Sequence, residues 1–284
     1  MIRAALAGVL ALGVFGYDGY DVPVVPVVPE NVLDSHLLVT WYGNPHTARM
    51  GILGAHQGPE RAAALREQAA AYEPLTDRRV LMAYHLVAVI AQAQPGSDGL
   101  YRRREFTSMI RSLLDEARAN GFKLVLDIQP GRSTVADEVE ALRPFLAEPD
   151  VYLALDPEFA MKDDQVPGQI IGSMPASEVN DAIDFLDQVI REHSLPPKVL
   201  IVHQFTWNML PEKNKIEPKP GVEVVLDMDG FGPQALKRST YRSILRQGRL
   251  PYLGFKLFYQ QDTNVFTPAQ VLALDPVPAV VIYQ

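Results

Sequence analysis

Eight short runs of apolar residues, separated by amphipathic stretches, constrain the fold of this chain more than any other feature. Most runs are near-continuous rather than alternating, which is typical of parallel β-strands covered on both faces. The runs cover residues 37–43, 80–91, 122–129, 151–159, 198–205, 222–230, 252–260 and 279–284. We therefore predict eight parallel strands.

Helical patterns lie between most of these runs. "PERAAALREQAAAYEPL" begins with proline and glutamate, which favour a first turn, and "REFTSMIRSLLDEARANG" ends in the stop signal Asn120-Gly121. The further patterns are "STVADEVEALRPFLAE", "PASEVNDAIDFLDQVIREH", "PQALKRSTYRSILRQG" and "TPAQVLAL". Strand followed by helix, with the last helix missing, predicts a single α/β domain, a (β/α)8 TIM-type barrel over residues 31–284. A doubly wound open sheet is the alternative, disfavoured because no Gly-rich phosphate turn is present.

Length and composition agree with one soluble barrel. The chain has 284 residues, of which 48% are hydrophobic and 21% charged, an ordinary globular composition. Its net charge of −8 argues against a nucleic-acid backbone or an anionic membrane as the main partner. The absence of cysteine excludes disulfides, thiolate zinc sites and cysteine nucleophiles. The oligomeric state stays open.

The N-terminal residues resemble an export signal. "MIRAALAGVLALGVFG" has one arginine followed by a short apolar run, which is too short to span a bilayer comfortably. The spaced prolines of "VPVVPVVP" (22–29) indicate an extended tether. We therefore predict a leader or tether over residues 1–30, no membrane span, and a protein that is secreted or associated with the cell envelope. A segment packed on the domain is the alternative.

Polar and aromatic residues concentrate where the predicted strands end. In a barrel of this kind the active site lies at the C-terminal ends of the strands. The candidate residues at these ends are Trp41, Tyr42, Asp127, Gln129, Asp156, Glu158, His203, Gln204, Asp227, Asp229, Lys256, Tyr259 and Tyr283. The N-terminal ends carry little beyond ordinary loop residues. We therefore place the site at the C-terminal face.

The stretch "LALDPEF" (153–159) carries the strongest chemical signal. Two residues apart on a strand, Asp156 and Glu158 would point the same way and repel each other inside a barrel. One carboxyl that stays protonated beside another that is ionised suits glycoside hydrolysis. We predict that Glu158 is the proton donor, that Asp156 tunes it, and that Asp229 or Asp227 is the second carboxylate.

The other candidates are predicted to bind a carbohydrate substrate. His203, Gln204, Lys256 and Tyr259 would position the sugar, with Asp127 and Gln129 beside them. Trp41, Tyr42, Tyr259 and Tyr283, with Trp207 in a loop, would offer rings for stacking. We predict no cofactor and no bound metal.

Several of these residues have simpler interpretations. Asp127 would instead cap a helix or fix a turn with Arg132, and His203 would be a core histidine. Lys256 would neutralise nearby carboxylates rather than form a Schiff base, and Asp229 would only shape the turn before Gly230. Trp41 and Tyr42 would be core aromatics.

Two other functions stay open. The first is a non-catalytic barrel that binds a glycan or a cell-wall partner. The second is a metal-dependent hydrolase that uses the acids with His203, although the His-x-His pair of amidohydrolases is missing. The G-x-S-x-G, G-x-x-x-x-G-K-[ST] and G-x-G-x-x-G motifs are absent.

Residues 154–158, Ala-Leu-Asp-Pro-Glu, resemble the D-x-D-x-E end of the fourth strand in chitinase-type glycoside hydrolases. The resemblance implies that Glu158 is the general acid and Asp156 the assisting aspartate, while Ala154 replaces the first aspartate. More widely, "WYGNP", "LDIQPGRS", "LALDPEFAM", "VHQFTWNM", "DMDGFG" and "GFKLFYQQD" are similar to a group of secreted bacterial barrel proteins without an assigned activity. That likeness implies the barrel fold and export.

Overall fold

The predicted apolar runs form the walls of a closed barrel in the computed structural model, which describes residues 30–248 and 250–284. The strands are β1 (His36–Gly43), β2 (Arg79–Ala91), β3 (Arg102–Arg104), β4 (Lys123–Ile128), β5 (Val151–Leu155), β6 (Lys198–Gln204), β7 (Val222–Met228), β8 (Tyr252–Leu257) and β9 (Val280–Tyr283). Eight of them are parallel, in the order β1-β9-β8-β7-β6-β5-β4-β2, and pairing of β1 with β2 closes the ring. The predicted (β/α)8 fold is confirmed, and the open sheet is excluded.

The remaining strand, β3, extends one side of the barrel mouth. It pairs antiparallel with the end of β2, where Ala91 faces Arg102. Sequence patterns did not indicate this hairpin, because a run of three arginines, Arg102–Arg104, has no apolar periodicity.

The helices follow the predicted patterns with local differences. They are α1 (Val32–Ser35), α2 (Gly58–Ala70), α3 (Thr107–Ala119), α4 (Val135–Ala141), α5 (Arg143–Leu146), α6 (Ala176–His193), α7 (Gln234–Ile244) and α8 (Pro268–Leu272). The third predicted pattern divides into α4 and α5 at Leu142, because Pro144 removes a backbone donor and restricts the residue before it. Between β6 and β7 there are only two 3₁₀ turns. No helix in the described ranges is long and apolar enough to cross a bilayer.

Two apolar layers hold the barrel together. Leu38, Tyr42 and Ala154 belong to a cluster that fills the barrel interior. Leu37 and Trp41, one residue away from Leu38 and Tyr42, belong to the larger cluster between the strands and the helices. This alternation is the ordinary consequence of strand geometry, in which successive side chains point to opposite faces.

Helix α1 covers the N-terminal end of the barrel. The backbone N–H groups of Val32 and Leu33 donate to the Glu223 carboxylate of β7 at 2.7 and 2.8 Å. The Tyr252 hydroxyl of β8 donates to Asp34 at 2.7 Å. The leader or tether predicted for residues 1–30 falls outside the described residues except for Glu30. Helix α1 therefore occupies the end of the barrel opposite to the one at which the predicted site residues lie.

Six of the eight barrel strands end earlier than the predicted runs, and one of the differences changes the site. β5 stops at Leu155 and a 3₁₀ turn, Pro157–Phe159, follows at once. Pro157 has no N–H to continue the ladder, so regular pairing ends there. The prediction that Asp156 and Glu158 lie on one strand face is therefore wrong.

Candidate active site

A cleft of about 590 Å³ opens at the C-terminal end of the barrel. Gln284, after β9, lines it, and candidate residues from five other strand ends contribute further polar groups. These residues are Tyr42, Gln129, Asp156, Glu158, Asp229 and Lys256. Parallel strands bring their C-terminal ends to one face, which is why residues distant in sequence meet here.

The 3₁₀ turn after β5 gives its two acids different environments. Asp156 caps the turn: its Oδ1 accepts from the Glu158 backbone N–H at 3.3 Å, and its Oδ2 accepts from Gln129 Nε2 at 3.3 Å. Its side chain is buried, whereas Glu158 is only partly buried on the cleft wall. Glu158 is thus the more accessible of the two to a substrate.

Lys256 forms an ion pair with Asp229 inside the cleft. Its Nζ donates to Asp229 Oδ2 at 3.2 Å and lies 3.1 Å from Oδ1, a contact without hydrogen-bond angles. The ammonium also sits 3.8 Å from the centroid of the Tyr42 ring. Burial disfavours the ammonium, but the charges of Asp229 and Asp156 outweigh it and raise the pKa of Lys256. Lys256 is therefore a cation that neutralises carboxylates, not a neutral amine ready to form a Schiff base.

The cleft acids are biased toward their protonated forms. Burial is the main cause of the raised pKa of Glu158, and the charge of Asp229 raises it further while Lys256 and His203 oppose. The predicted neighbour effect thus comes from Asp229 rather than from Asp156. Burial also raises the pKa of Asp156 well above its usual value, against the lowering effect of His203.

Beneath the cleft lies a chain of four buried groups that the sequence did not connect. Asp127 Oδ2 lies 3.2 Å from His85 Nε2 and 3.1 Å from His203 Nε2, while His203 Nδ1 lies 2.9 Å from Asp227 Oδ2. All four side chains are fully buried. This chain reaches the cleft because His203 Nδ1 is also 3.6 Å from Asp229 Oδ2.

The proton distribution in this chain follows from its geometry. His203 faces a carboxylate at each ring nitrogen, so Asp127 and the hydrogen bond to Asp227 raise its pKa well above the usual value despite burial. Burial would raise the pKa of Asp127, but the two histidines hold it well below its usual range. Burial lowers the pKa of His85. The chain therefore favours an imidazolium at His203 beside an ionised Asp127, with His85 neutral.

Asp127, His203 and Asp227 were predicted to bind substrate, but the structure places them under the cleft floor with no exposed surface. Asp127 contacts histidines rather than a helix end or Arg132. Their position fits support of the cleft residues above them.

Four other predicted substrate-binding residues lie away from the cleft. The Trp41 side chain faces the helices, and Gln204 accepts a hydrogen bond from buried Lys213 at 2.9 Å. The rings of Tyr259 and Tyr283 stack on each other at 5.6 Å, outside the cleft lining. Trp41 precedes the inward-facing Tyr42 on β1, and Gln204 follows the inward-facing His203 on β6. Because successive side chains on a strand point to opposite faces, a shift of one position turns a residue away from the barrel interior.

Sequence reasoning missed the apolar side of the cleft. Phenylalanines from the segments after β5, β6, β7 and β8 line it together with a leucine of α7, and we call this surface the apolar wall. Its residues are Phe159, Phe205, Phe231, Leu236 and Phe258. A signal was available, because each phenylalanine comes within four residues of a strand end.

Two groups among the described residues have ligand atoms close enough to hold a metal ion. They are His85, Asp127 and His203, and His203, Asp227 and Asp229, with all ligand atoms of a group within 4.8 Å of one another. Both groups depend on His203. A metal binds the lone pair of a neutral imidazole, so in either group it would have to displace the proton of His203. Of the acids predicted to join His203, Asp229 is in the second group, whereas Asp156 and Glu158 are in neither.

The chain matches no model of a known protein family and no curated protein. Fold and site nevertheless define a class: a TIM-type (β/α)8 barrel with an acid-lined cleft at the C-terminal ends of its strands. Function is inferred here from the geometry of that cleft.

Proposed function

We propose that this protein is a glycoside-hydrolase-like enzyme that cleaves an O-glycosidic bond of a carbohydrate. One observation carries the proposal. The cleft holds Glu158, whose pKa is raised, beside Asp229, a second carboxyl in direct contact with the ammonium of Lys256. Burial raises the pKa of both carboxyls, but Asp229 has a cation in direct contact that favours its ionised form. One carboxyl that donates a proton and a second that can ionise are what this reaction needs.

Each group has a definite part in the proposed reaction. Glu158 gives its proton to the glycosidic oxygen as the bond to the anomeric carbon breaks. Asp229, whose ionised form Lys256 favours against the effect of burial, acts as nucleophile or as base toward water. Water supplies the hydroxyl that ends on the anomeric carbon and the proton that restores Glu158.

Two uncharged groups are suited to hold the sugar. Gln129 Nε2 lies 3.3 Å from both the Tyr42 hydroxyl and Asp156 Oδ2, and Gln129 Oε1 accepts from the Ala91 backbone at 3.2 Å. These bonds fix the amide orientation before substrate arrives. Fixed donors and acceptors recognise sugar hydroxyls at low entropic cost.

The test of the proposal is Glu158→Gln. The amide keeps the shape but has no transferable proton, so hydrolysis of an oligosaccharide should fall by about 10² or more with binding retained. An aryl glycoside with an activated leaving group needs little protonation and should be affected much less. In the parent enzyme, turnover should be lost as the pH rises through the raised pKa of Glu158, because only the protonated form donates.

Glu178→Gln is the matched control. Burial also raises the pKa of Glu178, but this residue lies on α6, outside the cleft lining. Equal loss on both substrate types in Glu158→Gln would show that Glu158 is not the acid. Binding of glycans without turnover in either protein would favour a non-catalytic binding barrel.

We also propose, from the N-terminal pattern alone, that the protein is secreted or associated with the cell envelope. Fractionation of expressing cells tests this, with the protein expected in the envelope or the medium. Recovery in the cytosol at full length would contradict it.

A further inference from the structure

The apolar wall of the cleft is built from side chains that are costly to leave in water. Phe231 is 61% exposed and Leu236 is 54% exposed, although both line the cleft. The Phe231 ring meets the buried Phe258 ring edge-on at 5.8 Å. Exposed apolar residues gathered in a concave site, rather than scattered singly, are typical of a binding surface.

The wall is continuous because of the barrel order. β5, β6, β7 and β8 are successive neighbours, so the loops that carry Phe159, Phe205, Phe231 and Phe258 lie side by side. It begins at the proposed acid, since Phe159 directly follows Glu158 in the same 3₁₀ turn. The wall is therefore in position to contact a leaving group on the oxygen that Glu158 would protonate.

The apolar surface continues outward along α7. Leu236 and Thr240 both line the cleft, and Ser243, on the next turn, accepts a hydrogen bond from Trp207 Nε1 at 3.1 Å. The Trp207 ring is 48% exposed. A rigid group longer than one ring would thus still meet apolar side chains beyond the cleft mouth.

From these contacts we propose that the substrate is a glycoside whose leaving group is aromatic. The inference rests on the proposed function and adds the class of aglycone. Aromatic rings favour offset or edge-on contact with phenylalanine, the arrangement already present between Phe231 and Phe258. A concave cleft with carboxyls on one side and the wall on the other fits a small amphiphilic molecule rather than a flat partner surface.

The test compares 2-naphthyl and methyl 1-thioglycosides of glucose, galactose, xylose and N-acetylglucosamine, which resist hydrolysis. Calorimetric titration of the full chain should show at least one naphthyl compound binding about tenfold or more tightly than its methyl partner. Phe231→Ser with Leu236→Ser should remove about tenfold of that difference and leave methyl binding unchanged. Phe106→Ser, at a phenylalanine 72% exposed outside the cleft lining, is the control and should change nothing.

The inference would be overturned if naphthyl and methyl compounds bound equally, or if none of them bound. It would also be overturned if Phe106→Ser reduced the naphthyl preference as much as the double substitution does. Hydrolysis of the corresponding O-glycosides separates it from the proposed function. If the naphthyl preference depends on Phe231 and Leu236 but no O-glycoside is cleaved, the wall is supported as an aromatic-binding site and the hydrolase proposal fails. If O-glycosides are cleaved regardless of aglycone and of these substitutions, the hydrolase stands and the inference fails.

Discussion

Lys256 is the residue on which the charge balance of the cleft depends. It is 2% exposed, contacts the Asp229 carboxylate and the face of Tyr42, and lies on the cleft lining. A lone buried carboxylate is costly, whereas a buried pair with good geometry offsets part of its desolvation. The same contact that allows Asp229 to be ionised therefore also stabilises this end of the barrel.

Lys256→Met should destabilise the protein by about 3 kcal/mol, because it leaves Asp229 buried without its cation. Urea unfolding measures this. Any activity that needs ionised Asp229 should also begin at higher pH, since loss of the cation raises the pKa of that carboxyl.

The double variant Lys256→Met with Asp229→Asn is the control for that prediction. It removes both charges, so most of the lost stability should return while activity stays low. A double variant that is no more stable than Lys256→Met alone would show that packing, not the ion pair, was lost.

At the scale of elements, the loop between β1 and α2 brings Arg49 and Met50 to the cleft. The loop can do so because its backbone at Gly51 packs closely against the backbone of β1. Gly51 has φ of 140°, a conformation that side chains rarely adopt. A Cβ at this position would lie 2.3 Å from the Tyr42 carbonyl oxygen. Loop and strand therefore fit together only with glycine.

Gly51→Ala should lower the free energy of unfolding by about 3 kcal/mol or more. The loop must move away from β1, and alanine adds backbone strain at this φ. Gly58→Ala is the control: its φ of 52° is also left-handed, but nothing lies within 4 Å of the added Cβ, so about 1 kcal/mol is expected. Urea unfolding compares them. Equal losses would mean that backbone strain alone matters and that the close approach at Gly51 does not.

The whole molecule should respond to pH through its buried charges. His203 has a raised pKa, so its contribution to stability is fully present below about pH 6.5 and is lost as the pH rises through its folded value. Asp156, Glu158 and Asp229 also have raised pKa values, so the folded state resists their ionisation. All four effects lower stability as the pH rises from mildly acidic to alkaline.

Asp127 acts in the opposite direction at low pH. Its pKa is lowered in the folded protein, so its contribution is present above the unfolded value of about 4 and is lost as the pH falls through the folded value. Stability should therefore be greatest near pH 5.

We expect the melting temperature to fall steadily between pH 5 and pH 9. Above about pH 6.5, the free energy of unfolding of His203→Gln should fall less steeply with pH, by up to about 1.4 kcal/mol per pH unit. This is the slope that one extra proton bound by the folded protein produces. Comparing slopes removes the effect of a lower absolute stability in the variant. An unchanged slope would show that His203 does not hold the extra proton.

The amino-acid sequence by itself determined the barrel and much of the cleft. Continuous apolar runs and helix signals are local features, and parallel strands must bring Asp156, Glu158, Asp229 and Lys256 to the same end. It did not show which aromatic residues face the cleft, because Trp41 and Tyr42 are neighbours on β1 and only the register decides which of them points inward.

Only the tertiary structure decided how the charges are shared. The chain from His85 through Asp127 and His203 to Asp227 joins β2, β4, β6 and β7, so no spacing along the sequence encodes it. The 3₁₀ turn at Pro157 likewise separated Asp156 from Glu158. Protonation depends on burial and on neighbouring charge, and both are properties of the folded surroundings rather than of the residue itself.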